Sequence, residues 1–172
     1  GLTLDWEPID IESWGNKGLE GIACDSENQT IYLGKERQPQ KIFKTNAEGG
    51  KVREVLKEVT AGHDFQIADL KYDSSYLYVL DRKNYRVLKI DIAQQLIKAV
   101  LNYGNVMNHN REKFYEKAGF PMAEALMFDN NRLMIGLDNN GNNFNEKNKW
   151  VKQAKLEGNN PVIIIFDRPQ HF

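Results

Sequence analysis

Residues 16–37 read NKGLEGIACDSENQTIYLGKER: a short apolar run, a turn of Asp25, Ser26, Glu27 and Asn28, a second apolar run, and a carboxylate near each outer end, Glu20 and Glu36. Apolar runs on both sides of an Asp/Asn/Ser turn are hairpin chemistry, because those side chains hydrogen-bond their own backbone and tolerate left-handed conformations. Two further stretches line up with it: ADLKYDSSYLYVLDRKNYRVLKID from Ala68 and EALMFDNNRLMIGLDNNG from Glu124. Each has a strand, an Asp at the turn (Asp25, Asp73, Asp129), a second strand and an acidic end (Glu36, Asp81, Asp138).

The unit recurs at roughly fifty residues, a period that belongs to propeller blades. Third strands follow in QKIFKTN, YRVLKIDI and PVIIIFD, and KVREVLKEV and LIKAVLNYG read as outer strands. The expected fold is therefore all-β, a β-propeller with about three four-stranded antiparallel blades over about 15–64, 65–120 and 121–172. Residues 1–14 (GLTLDWEPIDIESW) read as an edge strand of a preceding or closing blade. Two segments break the repeat. NHNREKFYEKAGFP reads as a short helix over 110–118, with Asn110 as cap and Gly119 and Pro121 closing it. The polar, Asn-rich stretch from Asn139 reads as a long surface loop.

Composition narrows the partners. The 172 residues carry 23 Lys and Arg against 24 Asp and Glu, so the net charge of −1 offers no bulk attraction to nucleic acid or an anionic surface, and no nucleic-acid partner is expected. The single cysteine, Cys24, excludes an intrachain disulfide and a Cys-rich zinc site, and its apolar surroundings place it in the core as a thiol. The longest apolar run, PVIIIF, is too short to span a bilayer as a helix. Three blades fall short of the about four to eight that close a ring. The expectation is the C-terminal half of a larger, about six-bladed propeller, with the other blades from a preceding half or a second copy.

In an antiparallel hairpin the start of the first strand lies beside the end of the second. This juxtaposes Glu20 with Glu36, Asp69 with Asp81, and Glu124 with Asp138, and first strands along the axis would gather the three pairs at one rim. Like charges this close need a counter-charge: Arg37, Arg82 or a bound cation. Carboxylates with amide carbonyls such as Asn139 are hard oxygen ligands that suit Ca²⁺ ahead of Mg²⁺. Glu20, Glu124 and Asp69 are thus the candidate metal ligands, and Glu36, Arg37, Asp81, Arg82, Asp138 and Asn139 the candidate rim residues.

NKGLEGIACD with GKERQPQKIF, then IADLKYDSSYLYVLDRKNYRVLKI, then AEALMFDNNRLMIGLDNNG, resemble the phytase-like (esterase-like) β-propeller family and its relatives in the SdiA-regulated family. The likeness covers roughly residues 14–140 and the PVIIIFD strand. It implies an extracytoplasmic protein, periplasmic or secreted, of which this chain is the C-terminal part.

Two functions fit this reading. One is an extracytoplasmic propeller module that binds a small molecule or a cation at the acidic rim. The alternative is a metal-dependent phosphoesterase or esterase, in which the cation polarises a phosphoryl or ester oxygen and lowers the pKa of a bound water. The Gly-x-Ser-x-Gly elbow, the His-Glu-x-x-His helix and the phosphate-binding Gly-rich loop are absent from the sequence, and His63, His109 and His171 lack ligand spacing.

Overall fold

The computed structural model describes residues 18–37, 39–46, 48, 50–60, 64–117, 122–129, 131–169 and 172. The edge strand expected over 1–14 and His63 and His171 lie outside them. The fold is all-β, and its three main sheets are antiparallel meanders in chain order, as a partial propeller requires. The first contains β1 (Leu19–Asp25), β2 (Thr30–Lys35), β3 (Lys41–Asn46) and β4 (Arg53–Val55). The second contains β5 (Ile67–Asp73), β6 (Tyr76–Asp81), β7 (Arg86–Asp91) and β8 (Leu96–Asn102). Between it and the third sheet lie α2 (Gly104–Met107) and a hairpin of β9 (Asn108–His109) and β10 (Glu112–Lys113). The third sheet has β11 (Ala123–Asp129), β12 (Arg132–Leu137) and β13 (Val162–Asp167), three strands among the described residues.

Turn chemistry sets these hairpins. Ser74 and Ser75 adopt φ of 51° and 72°, the left-handed pair of a type I′ turn whose twist matches the flanking strands. In the first unit the Asp25 carboxylate accepts from the Glu27 and Asn28 backbone N–H groups and closes the turn. The inner strands β1, β5 and β11 pack side by side, with the middle sheet sandwiched between the other two. Apolar side chains fill both seams, Ile42, Leu70, Leu77 and Leu88 in one and Leu80, Val87, Leu133 and Ile135 in the other. This is why β6 reads YLYVLD, apolar without alternation: it is buried on both faces. At the turn end of the second seam, Arg168 donates to the Asp73 carboxylate and the Tyr78 hydroxyl, and its guanidinium lies 4.6 Å from the Phe128 ring centre.

Three local expectations are corrected. KVREVLKEV is a strand only over Arg53–Val55; Leu56 turns left-handed at φ 55° and α1 (Lys57–Thr60) follows. No helix forms from Asn110: Asn110 and Arg111 take φ of 53° and 69° and make the tight turn of the β9–β10 hairpin. The helix sits instead in the Asn-rich stretch, as α3 (Lys149–Ala154). Cys24 is exposed and not a core thiol, because it points from β1 away from the middle sheet and no described sheet packs there. Among the described residues, no helix is long and apolar enough to cross a membrane.

The two interruptions of the repeat fold together. Phe144 bridges to Tyr115, and Phe114, Tyr115 and Phe144 form one aromatic cluster. Asn148 is fully buried and uses its whole amide. Its oxygen accepts from the Trp150 and Val151 N–H groups, capping α3, and its NH₂ donates to the Val106 and Glu112 carbonyls. Asn148→Ala removes a cap worth about 1 kcal/mol and leaves buried carbonyls unpaired at about 1–3 kcal/mol. We expect a loss of about 2–4 kcal/mol in urea unfolding, with faster hydrogen exchange at the Trp150 and Val151 amides. Asn148→Asp should be no better, since a carboxylate caps the helix but cannot donate to the two carbonyls.

Candidate functional site

The acidic rim forms at the end of the inner strands where the sheets enter and leave, and β-bulges build it. The ladder slips at the same place in all three, between Leu19 and Gly21, Ile67 and Asp69, and Ala123 and Ala125. The extra residue is Glu20, Ala68 or Glu124. A bulge leaves one residue unpaired and re-aims its side chain, so Glu20 and Glu124 hold equivalent positions and the middle sheet offers only a methyl group.

Register also decides the strand ends. Lys35, Asp81 and Leu137 pair with Leu19, Ile67 and Ala123, so the next residues, Glu36, Arg82 and Asp138, are the equivalents. Their N–H groups make matching bonds to the carbonyls of Gly18, Gln66 and Met122. The middle sheet therefore places a guanidinium where its neighbours place carboxylates. Arg82 donates through Nη2 to Glu36 and through Nη1 to Glu124, tying the first sheet to the third across the second. Arg37 adds a contact at 3.3 Å from Nε to the other Glu36 oxygen. Glu36 is 2% exposed, so its carboxylate is desolvated, while Arg82 and Glu124 keep partial contact with solvent.

Asp81, Asp69 and Asn139 serve the scaffold. Asp81 faces Ile67 and is fully buried, and it does not join Asp69 at the rim. Its carboxylate accepts from Gln66 N–H, the Asn84 amide and Arg86 Nε, which closes the turn between β6 and β7. Asp69 stands where Gly21 and Ala125 stand and accepts from Leu70 N–H and, across the seam, Leu126 N–H. Asn139 folds its own loop, accepting from Gly141 and Asn142. Asp138 is exposed and accepts from Asn140 N–H.

Electrostatics at the rim follow from burial. Burial pushes the Glu124 carboxyl above its ordinary value and Glu20 and Asp138 add to this, while Arg82 pulls it back without cancelling the rise. Burial disfavours the Arg82 charge, yet Glu36, Glu124 and Glu20 more than offset it, and the guanidinium is held more basic than usual. Burial likewise raises Asp69, against the pull of its two backbone donors. Of the expected metal ligands Glu20, Glu124 and Asp69, Asp69 accepts one N–H bond at each of its two oxygens. Among the described residues no group of three or more His, Cys, Asp and Glu is arranged to hold a metal ion. The counter-charge of the rim is Arg82, assisted by Arg37.

The chain is similar to a chain in the crystal structure of a nidogen/laminin complex, at 19% identity and a TM-score of 0.51, over 73% of this chain and 42% of that one. It is also similar to the Neurospora crassa Pan2 WD40 domain, at 16% identity and a TM-score of 0.47, over 87% of this chain and 36% of that one. It thus spans less than half the length of either. No curated protein matches it significantly. The sequence pattern of one family covers residues 5–132, from before β1 through the start of β12 and so across the whole Arg82 cluster, and by that match the chain belongs to the SdiA-regulated family.

Proposed function

We propose that the chain is an extracytoplasmic propeller module whose rim binds a cationic ligand, with Ca²⁺ the first probe. One observation carries this reading: Glu36 and Glu124 pair with the guanidinium groups of Arg82 and Arg37, and Glu20 and Asp138 add two further carboxylates near Glu124, which leaves the rim negative. Glu20 is exposed and has no ion-pair partner among the described residues, so it is free to meet a ligand. The resemblance to phytase-like propellers supports the extracytoplasmic setting. The metal-dependent esterase chemistry would draw on the same carboxylates, so one titration bears on both readings.

A ligand that binds only the folded state stabilises it by about 2.7 kcal/mol at a hundredfold excess over Kd. At about 2–4 °C per kcal/mol for a chain of this size, Ca²⁺ should raise Tm by about 5–10 °C, and a chelator should reverse it. Glu20→Gln should abolish the shift, whereas Glu48→Gln, in an exposed turn away from the rim, should keep it. Ligation needs the ionised carboxylate, and the Glu124 carboxyl is raised. Affinity should therefore fall, as pH is lowered, before the ordinary glutamate range is reached. Titration calorimetry of the folded protein without heat up to millimolar Ca²⁺, and an unchanged Tm, would remove the metal from this reading.

A further inference from the structure

The outer half of the first sheet sets like charges against each other. Register puts Tyr32, Lys44 and Arg53 in one cross-strand row of β2, β3 and β4, with Thr30 and Asn46 two residues further along on the same face. Lys44 and Arg53 stand directly opposite, with Cβ atoms about 4.5–5.5 Å apart, an arrangement that is destabilising for like charges. Both are exposed, and among the described residues neither they nor Lys51 has an ion-pair partner. Asp25, the carboxylate opposite Thr30, accepts from its own turn, from the Glu27 and Asn28 N–H groups and the Asn28 amide. The rim carboxylates lie at the other end of the sheet, about 17 Å away along β2 at about 3.3 Å per residue, beyond a Debye length of about 8–10 Å.

The connection from β3 to β4 brings a third cation to the same place. The Thr45 hydroxyl donates to the Gly50 carbonyl at 2.7 Å, and the Gly50 N–H donates to Asn46 Oδ1, which folds the chain back before Lys51. Lys44, Lys51 and Arg53 then line one pocket of about 250 Å³ together with Thr30, Thr45 and Asn46. We infer that this pocket binds a phosphoryl group, as inorganic phosphate or on a small phosphomonoester.

The charge and the donors match that group. A phosphoryl group carries a charge of about −1.5 to −2 on three acceptor oxygens, whereas a carboxylate brings one charge on two, too little for three cations. Arg53 offers a planar fork for two of the oxygens, and Lys44 and Lys51 act as point charges. Asn46, whose oxygen is taken by the Gly50 N–H, keeps its NH₂ to donate. A bound dianion also removes the repulsion between Lys44 and Arg53. The pocket does not rest on the rim reading: it lies at the opposite end of the sheet and takes the opposite charge, so either can fail without the other.

Titration calorimetry of the whole chain with inorganic phosphate, in chloride at constant ionic strength, should give one saturable site for which sulfate competes and acetate does not. Lys44→Gln and Arg53→Gln should each weaken phosphate binding by about tenfold or more, the loss of one charge-assisted contact. Lys152→Gln, exposed in the last turn of α3, should leave it unchanged. Folding is not at stake in these variants, because the side chains are exposed. Without phosphate, Arg53→Gln should melt no lower than wild type, since the opposed like charge is gone, and phosphate should reverse that order. The absence of saturable heat up to millimolar phosphate would overturn the proposal, as would equal weakening by all three substitutions, and the charges would then only guard an outer strand. Acetate that binds as tightly as phosphate would overturn the phosphoryl assignment.

Discussion

Arg82→Ala is expected to lower the unfolding free energy by about 3–5 kcal/mol, the range for removing one partner of a buried ion pair. Glu36 is nearly inaccessible and, among the described residues, would keep the 3.3 Å contact to Arg37, which places the effect toward the lower figure. Glu124, already raised by burial, would lose the group that pulls it down. Arg82→Lys keeps the charge but not the fork that reaches two carboxylates on different sheets, so it should fall in between.

The pH dependence separates desolvation from lost packing. In the Arg82→Ala protein, carboxyls with a folded pKa above the unfolded value bind protons more readily folded than unfolded. Stability then falls as pH rises through the window between those two values and is recovered on acidification. The gap between variant and wild type in urea unfolding should therefore narrow as pH drops below neutral. A penalty of about 1 kcal/mol or less, flat with pH, is what an exposed pair would give, and would show that the cluster is solvated.

The second large effect is expected at the first seam. A methyl group on Gly21 would lie 2.9 Å from the Asp69 carbonyl carbon and the Leu70 nitrogen, which are backbone atoms that no rotamer change can move. Gly21→Ala must push β1 from β5, at about 1–3 kcal/mol for overpacking, and the cost should reach the upper end because two sheets separate. Gly18→Ala is the control, since nothing lies within 4 Å of its added methyl. The urea midpoint should fall for Gly21→Ala and hold for Gly18→Ala. Equal midpoints would mean that the inner strands do not approach this closely.

What the sequence determined by itself was local. Asp25, Asp73 and Asp129 sit where hairpins turn, and the flanking runs are strands to within a residue or two. A turn and its two strands are held by neighbours in the chain, so fifty residues suffice to specify a sheet and its repetition specifies the propeller. PVIIIFD was readable as the third strand of the last sheet despite the long interruption, because an apolar run bounded by Pro and Asp has little else to become. The α3 start also left a local signal, Asn148 as cap before KWVKQA, outweighed by the Asn-rich composition around it.

Only the tertiary structure decided the rest. A bulge is a slip of one strand against its partner and leaves no mark in an apolar pattern, yet it moves the rim register by one residue. The turn pairs Asp25–Thr30, Asp73–Tyr76 and Asp129–Arg132 set the count along the second strands, and six residues on they make Arg82, and not Asp81, the counterpart of Glu36 and Asp138. Asp69 became a stitch between sheets because Leu126 N–H lies across the seam, 57 residues away in sequence. The stretch from Asn110 turns as a hairpin because the buried Asn148 amide holds the Glu112 carbonyl there, overriding a helical pattern that was only a propensity. Whether Cys24 and Ile22 are core or surface depends on what packs against the first sheet, and strand alternation separates two faces without saying which of them is covered.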